Sequence, residues 1–184
     1  MVQELTKAEQ EKIFNEEFLP HIESVYNFAF YLTNDEEDAK DLLQESFLKA
    51  YKYAGYYQEG TNAKAWLLKI LKNTFINEYR KKSTKPRQLD YDNIEGREVS
   101  EDMGIVDLRH EVFKEMIGDE ITKAINELPA DYRLIILLCD LEGFKYEEIA
   151  KIVDVPVGTV RSRLHRARNL LKEKLADYAK KKGF

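Results

Sequence analysis

One cysteine among 184 residues excludes any disulfide within the chain and points to a reducing compartment. Cys139 sits inside the run LIILLCDL, where a small core residue is expected. Long hydrophobic runs are missing as well. The longest purely apolar stretch, Leu134 to Cys139, is far too short to cross a bilayer. The first residues are polar and acidic, which is not the pattern of a secretory signal, so a cytoplasmic protein is expected. No segment alternates apolar and polar residues as a half-buried strand does, which removes sheet folds. Histidine is scarce. His21, His110 and His165 fall on three separate segments, and no glycine-rich phosphate loop or nucleophile motif accompanies them. The chain therefore does not read as an enzyme, and nothing in it calls for a cofactor.

Charge is plentiful but unevenly placed. The net charge of −5 hides four blocks. Residues 1–60 hold 5 Lys/Arg against 13 Asp/Glu, residues 61–89 hold 8 against 1, residues 90–131 hold 4 against 13, and residues 132–184 hold 12 against 7. The two basic blocks can meet a polyanion, and the two acidic ones face solvent or a basic partner.

Almost every patterned segment has a helical period, so the expected fold is all-α. Residues 83–108, STKPRQLDYDNIEGREVSEDMGIVDL, break the pattern with acids, Pro and two Gly, and read as a tether. Two small helical domains joined by an acidic linker follow, with boundaries at 1–86, 87–110 and 111–184.

The most informative stretch is VPVGTVRSRLHRARNLL, residues 155–171. At about 100° per residue, Val160, Leu164, Ala167 and Leu171 form one apolar stripe. Arg161, Ser162, His165 and Arg166 fall opposite, and Arg163 and Arg168 flank the stripe. No acid lies between Asp154 and Glu173. Like charges crowded on a helix repel mildly, which points to an external anion. Upstream, FKYEEIAKIVDV forms a short amphipathic helix, Asp154 and Val155 make a turn, and Pro156 suits the start of the next helix. Two short helices joined this way, the second one basic, make a helix-turn-helix whose second helix reads base edges in the major groove. Arg supplies paired donors for guanine, and Ser or His supplies shorter contacts.

The first half has polar faces of its own. On the helix NAKAWLLKILKNTFINEYRKK, residues Leu67, Leu68, Leu71, Phe75 and Tyr79 form the core stripe, while Lys69, Lys72, Asn73 and Arg80 share another side. Tyr53, Tyr56 and Tyr57 precede it in a glycine-bounded loop, and Trp66 opens the helix. Rings beside cations suit single-stranded nucleic acid, where bases stack and phosphates meet Lys or Arg; packing of the tyrosines under the loop is the equal alternative. On DEEDAKDLLQESFLKAYKYA, residues Ala39, Leu43, Phe47 and Ala50 turn inward, and Asp38, Asp41, Gln44, Glu45 and Leu48 turn outward. An apolar Leu48 ringed by charge is the pattern of a protein interface, although a lone exposed Leu is also common. A metal site on Asp38, Asp41 and Glu45 lacks the further ligands a coordination shell needs, so no metal is expected.

Three motifs in order, DAKDLLQESFLKAY, AWLLKILKNTFINEYRKK and LPADYRLIILLCDLEGFKYEEIAKIVDVPVGTVRSRLHRARNLL, make the chain resemble a bacterial RNA polymerase sigma factor. The group it resembles is the small extracytoplasmic-function (ECF) group of the sigma-70 family. The resemblance covers roughly residues 14–86 and 111–178. It implies two domains, sigma region 2 and sigma region 4, and a protein that binds core RNA polymerase, directs it to promoters and helps open the DNA. It places Asp38, Asp41, Gln44, Glu45 and Leu48 at the polymerase clamp. Tyr56, Tyr57 and Asn62 fall on the loop that captures a flipped promoter base. Trp66, Lys69, Asn73 and Arg80 fall on the helix facing the downstream element, and Thr159, Arg161, Ser162, Arg163, His165 and Arg166 on the upstream reader. An anti-sigma factor is a further implied partner. The rival readings are a stand-alone helix-turn-helix regulator with an N-terminal sensor, an enzyme, and an adaptor without DNA contact. The basic third helix, the scattered histidines and the Arg helix argue against them in turn.

Overall fold

The computed structural model describes residues 5–84 and 118–183, with side chains described to residue 78 in the first of these segments. The linker expected over 87–110 lies outside the described residues. Within them the chain forms helices and turns and no strand.

Helix α1 (Lys7–Ile13) starts from a capping box in which Thr6 and Glu9 bond each other's backbone N–H. It widens into a π turn over Phe14–Phe18 and tightens into a 3-10 turn over Leu19–His21, where Pro20 has no N–H to give to a helical ladder. Helix α2 (Ile22–Thr33) follows. It ends at Asn34, whose φ of 56° is a left-handed conformation that Asn tolerates better than most residues. Asp35 then caps α3 (Glu36–Lys52), accepting the Asp38 N–H at 2.8 Å, and three acids in the first turn suit the helix dipole. A short 3-10 turn, Ala54–Tyr56, leads to the long α4 (Ala63–Thr84).

The second half contains α5 (Asp119–Asn126), α6 (Ala130–Ile136), α7 (Tyr146–Val153) and α8 (Val157–Lys182). A π turn over Leu137–Leu141 extends α6, and Gly143 with φ 72° turns the chain toward α7. Asp154, the hinge between α7 and α8, is left-handed at φ 57°. The apolar stripe on α8 is buried at Val160, Leu164 and Ala167, as its period predicts.

In the first half α2 packs on α3 and α3 on α4; in the second α5, α6 and α7 pack on α8. The halves are not separate bodies. Helix α7 lies along α4, and α2 touches both α5 and α6. A single apolar cluster runs from Ile13 to Ala167 through both halves. Helix α2 shows the result most plainly. Val25, Tyr26 and every residue from Phe28 to Leu32 are buried, which leaves water only a partly exposed strip along Glu23 and Asn27.

Candidate nucleic-acid interface

Helix α8 offers the expected outward set. Pro156 supplies the first carbonyl, accepting from the N–H groups of Thr159 and Val160 at 2.9 and 3.1 Å. With Val160 and Leu164 anchored in the core, Arg161, Ser162, His165 and Arg166 must point away from it, and all four are exposed. Thr159 is half-buried beside them. Ser162 Oγ donates back to the Thr159 carbonyl at 3.1 Å, and Asn169 Nδ2 lies 3.2 Å from His165 Nε2.

The four arginines separate into two kinds. Arg163 pairs with Asp131 at 3.3 Å. Arg168 takes both oxygens of Asp140, at 2.5 and 3.3 Å, and this hydrogen bonding pushes its pKa further above its already high value. Both acids belong to α6 or its π extension, so these pairs clamp α8 to the helix beneath it. Arg161 and Arg166 have no acidic partner among the described residues. Two of the four guanidinium groups are therefore available to an outside anion, and Arg163, expected to touch DNA, has a neighbour of its own.

The first-half loop holds one open ring and one closed one. Tyr56 is 63% exposed and sits edge-on to Tyr53 at 6.0 Å, with the Lys52 ammonium 5.6 Å from the Tyr53 ring. Tyr57, expected beside it as a stacking surface, is buried. Its ring meets Phe18 at 5.1 Å and Trp66 at 5.3 Å. Its hydroxyl donates to Glu17 Oε2 at 2.9 Å and lies 3.1 Å from the Thr61 carbonyl oxygen. Burial, helped by the bond to Glu17, raises the Tyr57 pKa. Trp66 is half-buried and stacks on Phe18 at 5.2 Å. Asn62 is exposed, and its Oδ1 accepts the Ala65 N–H at 3.0 Å, which caps α4. That role was legible in the sequence, since an Asn directly precedes the helix.

On α4, Asn73 is exposed, and Arg80 falls where side chains are not described. Lys69 and Lys72 do not face water together. Lys69 Nζ lies 2.8 Å from Asp154 Oδ1 and Lys72 Nζ 3.1 Å from Asp154 Oδ2. The Lys72 side chain is only 5% exposed because α7 covers it. Bonding from Lys69 above all, then from Lys72, holds the Asp154 carboxyl below the usual Asp range. Two further ties cross the same seam. Lys64 pairs with the buried Glu142, and Arg133 donates to the Leu32 carbonyl. No sequence signal paired these residues, because each contact joins segments about a hundred residues apart or little less.

Helix α3 presents Asp38, Asp41 and Gln44 outward with Leu48, which is 65% exposed. Glu45 turns along the helix to Lys49 at 2.6 Å. Among the described residues no group of three His, Cys, Asp or Glu could hold a metal ion, and no helix is long and apolar enough to cross a membrane.

Residues 18–84 match the sigma-70 region 2 family model, and residues 118–171 match sigma-70, region 4. The ECF RNA polymerase sigma factor SigE of Mycolicibacterium smegmatis is 33% identical over 86% of this chain and 60% of its own length. The ECF RNA polymerase sigma-E factor of Salmonella typhimurium is 35% identical over 75% of this chain and 74% of its own. Among solved structures, the sigma factor RpoE of Bartonella quintana, in complex with the anti-sigma factor NepR, aligns with a TM-score of 0.69. That alignment has 34% identity and covers 90% of this chain and 98% of the other. CnrH, in complex with the cytosolic domain of CnrY, shares the fold at a TM-score of 0.62 and 19% identity.

Proposed function

Since the chain belongs to the extracytoplasmic-function group of the sigma-70 family, we propose that it binds core RNA polymerase, directs it to specific promoters and helps open the DNA. Residues 1–86 act as region 2 and residues 111–184 as region 4, with 87–110 between them. Helix α3 meets the polymerase through Asp38, Asp41, Gln44, Glu45 and Leu48. Arg161, Ser162, His165 and Arg166 read the upstream element as duplex. Tyr56 and Asn62, with Lys69, Asn73 and Arg80, meet the melted downstream strand. Trp66 and Tyr57 hold the loop from beneath, and Arg163 steadies the reading helix through Asp131. An anti-sigma factor is a further partner, in keeping with the Bartonella quintana relative, whose structure contains one. A chain with these partners works in the cytoplasm.

The observation that carries this reading is the exposed Arg161 and Arg166 pair on the second helix of the motif, without an acidic partner among the described residues. The phosphate backbone and guanine edges supply what they lack. Run-off transcription with purified core polymerase is the test. Transcripts with defined starts are expected only when the chain is added. Specific nanomolar binding of a duplex by the chain alone, with no transcript on adding polymerase, would favour the stand-alone regulator instead.

A further inference from the structure

The reading above sets Tyr57 beneath the loop that receives a promoter base and assigns nothing to the residue its hydroxyl meets. That residue is Glu17, on the π turn Phe14–Phe18. Resting on that reading, we propose that Glu17 is a positioning residue for promoter opening. Through the Tyr57 hydroxyl it holds the loop over residues 58–62 where a flipped base is received.

Three observations bear on this. The first is how the loop closes. Gly60 takes a left-handed φ of 77°. Thr61 gives both its N–H and its hydroxyl to the Gln58 carbonyl, at 3.2 and 2.7 Å, and Asn62 caps α4 through the Ala65 N–H. These bonds shape the turn and seat its far end. The near end is seated at Tyr57, whose N–H donates to the Ala54 carbonyl at 2.9 Å.

The second is the hydroxyl. A phenol carries one hydrogen, and two acceptors share it here, Glu17 Oε2 at 2.9 Å and the Thr61 carbonyl at 3.1 Å. One oxygen atom therefore ties the loop to a turn 40 residues earlier. The bond to a carboxylate is the stronger kind, so Glu17 sets where the hydroxyl sits and the Thr61 carbonyl follows. Glu17 is half-buried, where water competes less for its oxygens. The third is the socket. Phe18, the next residue of the same turn, is fully buried, meets the Tyr57 ring at 5.1 Å and stacks on Trp66. Two consecutive residues of the π turn thus fix one tyrosine, Phe18 by its ring and Glu17 by its hydroxyl. Widened turns of this kind recur at functional sites. The ring contacts do not depend on the hydroxyl, so folding and loop placement can be separated.

A loop held in place beforehand avoids an ordering cost at the moment a base enters. Loss of Glu17 therefore falls on opening and spares duplex binding, which the Arg161 and Arg166 face supplies. A loop in place one-tenth of the time captures a base about tenfold less often.

The full chain with core polymerase is the system for the test. Permanganate reactivity over time measures opening, and gel shift in the cold measures closed-complex binding. A spin label at Gln58→Cys, an exposed position, in a Cys139→Ser background reports loop mobility without polymerase. Glu17→Ala should slow opening about three- to tenfold, raise label mobility and leave closed-complex affinity within about twofold. Tyr57→Phe removes both bonds of the hydroxyl, keeps the ring in its socket and should slow opening at least as much. The double variant should be no slower than Tyr57→Phe alone, because the two side chains share one bond. Glu17→Gln keeps an acceptor and should restore most of the opening rate. Glu16→Gln, on the exposed neighbour, is the control and should open like the wild type. Opening by Glu17→Ala or by Tyr57→Phe at the control rate, or losses that multiply in the double variant, overturn the positioning role. Tyr57→Phe keeps the test decisive if Glu17→Ala folds poorly. A wild-type chain that supports no transcription with core polymerase overturns the sigma reading instead, whereas label mobility still reports whether Glu17 holds the loop.

Discussion

Arg133 Nη1 donates to the Leu32 carbonyl at 2.6 Å, joining the second half of the chain to the end of α2, 101 residues earlier. The other terminal nitrogen, Nη2, reaches the carbonyls of Asn126 and Leu128 at 2.5 and 3.1 Å, so one planar fork ties three backbone oxygens together. Replacing Arg133 with Ala leaves those oxygens short of a charged donor and should lower stability by about 2 kcal/mol in urea denaturation. Lys at this position carries the charge without the fork and should restore less than half of the loss.

The two kinds of arginine on α8 should behave differently. Arg161→Ala or Arg166→Ala should cost about 1–3 kcal/mol in promoter binding by the polymerase complex and relax base choice at one position. Arg163→Ala and Arg168→Ala should act alike on all promoters and lower stability by about 0.5–1 kcal/mol, as loss of an exposed ion pair does. Binding to a set of single-base promoter variants separates the cases. Equal, sequence-blind losses for all four would reduce α8 to a phosphate contact.

Asp41→Lys and Leu48→Ala should weaken association with core polymerase and leave the urea midpoint nearly unchanged, since both side chains are exposed. Native gels or fluorescence titration with core polymerase check this. Unchanged binding would mean that the α3 face is only solvated.

The neighbouring tyrosines should separate function from folding. Tyr56→Ala should keep stability within about 0.5 kcal/mol and impair duplex opening, with rescue on a pre-melted template. Tyr57→Ala empties a site against Phe18 and Trp66 and should cost about 3 kcal/mol of stability. Permanganate footprinting of the promoter and thermal denaturation measure the two effects.

Burial pushes the Tyr31 hydroxyl up to about 12, so the folded chain favours its neutral form. The stability tied to it is complete below the ordinary tyrosine value of about 10 and is lost as pH rises from there toward about 12. Thermal midpoints measured across that window should fall, and Tyr31→Phe should flatten part of the slope.

Much of this architecture is legible in the sequence where a short period decides burial. Val160, Leu164 and Ala167 form the α8 stripe, and Ala39, Leu43, Phe47 and Ala50 the inner side of α3, because each position is fixed by its own helix. The same reasoning puts Lys72 outside and leaves the loop residue Tyr57 open between stacking and packing, and both are covered. Their covers come from far along the chain. Phe18 and Glu17 close over Tyr57 from 40 residues away, and Asp154 meets Lys72 from 82 residues away. No period within one helix carries that information. The π turns at Phe14–Phe18 and Leu137–Leu141 interrupt segments that read as regular helix; Pro20 accounts for the tight turn after the first, and nothing local marks the second.

The enclosure of α2 has a consequence for how the protein lives when it is not at work. Its phenylalanines and tyrosines are roofed partly by α5 and α6, which belong to the other half. Were the halves to part, an aromatic strip would be bared to water. Surfaces of that kind invite aggregation and proteolysis as readily as a legitimate partner. An opened chain must soon be sheltered, by polymerase or by a protein that holds it in reserve, or else close again. A polymerase bound to the parted chain would then cover that strip in the manner of a chaperone.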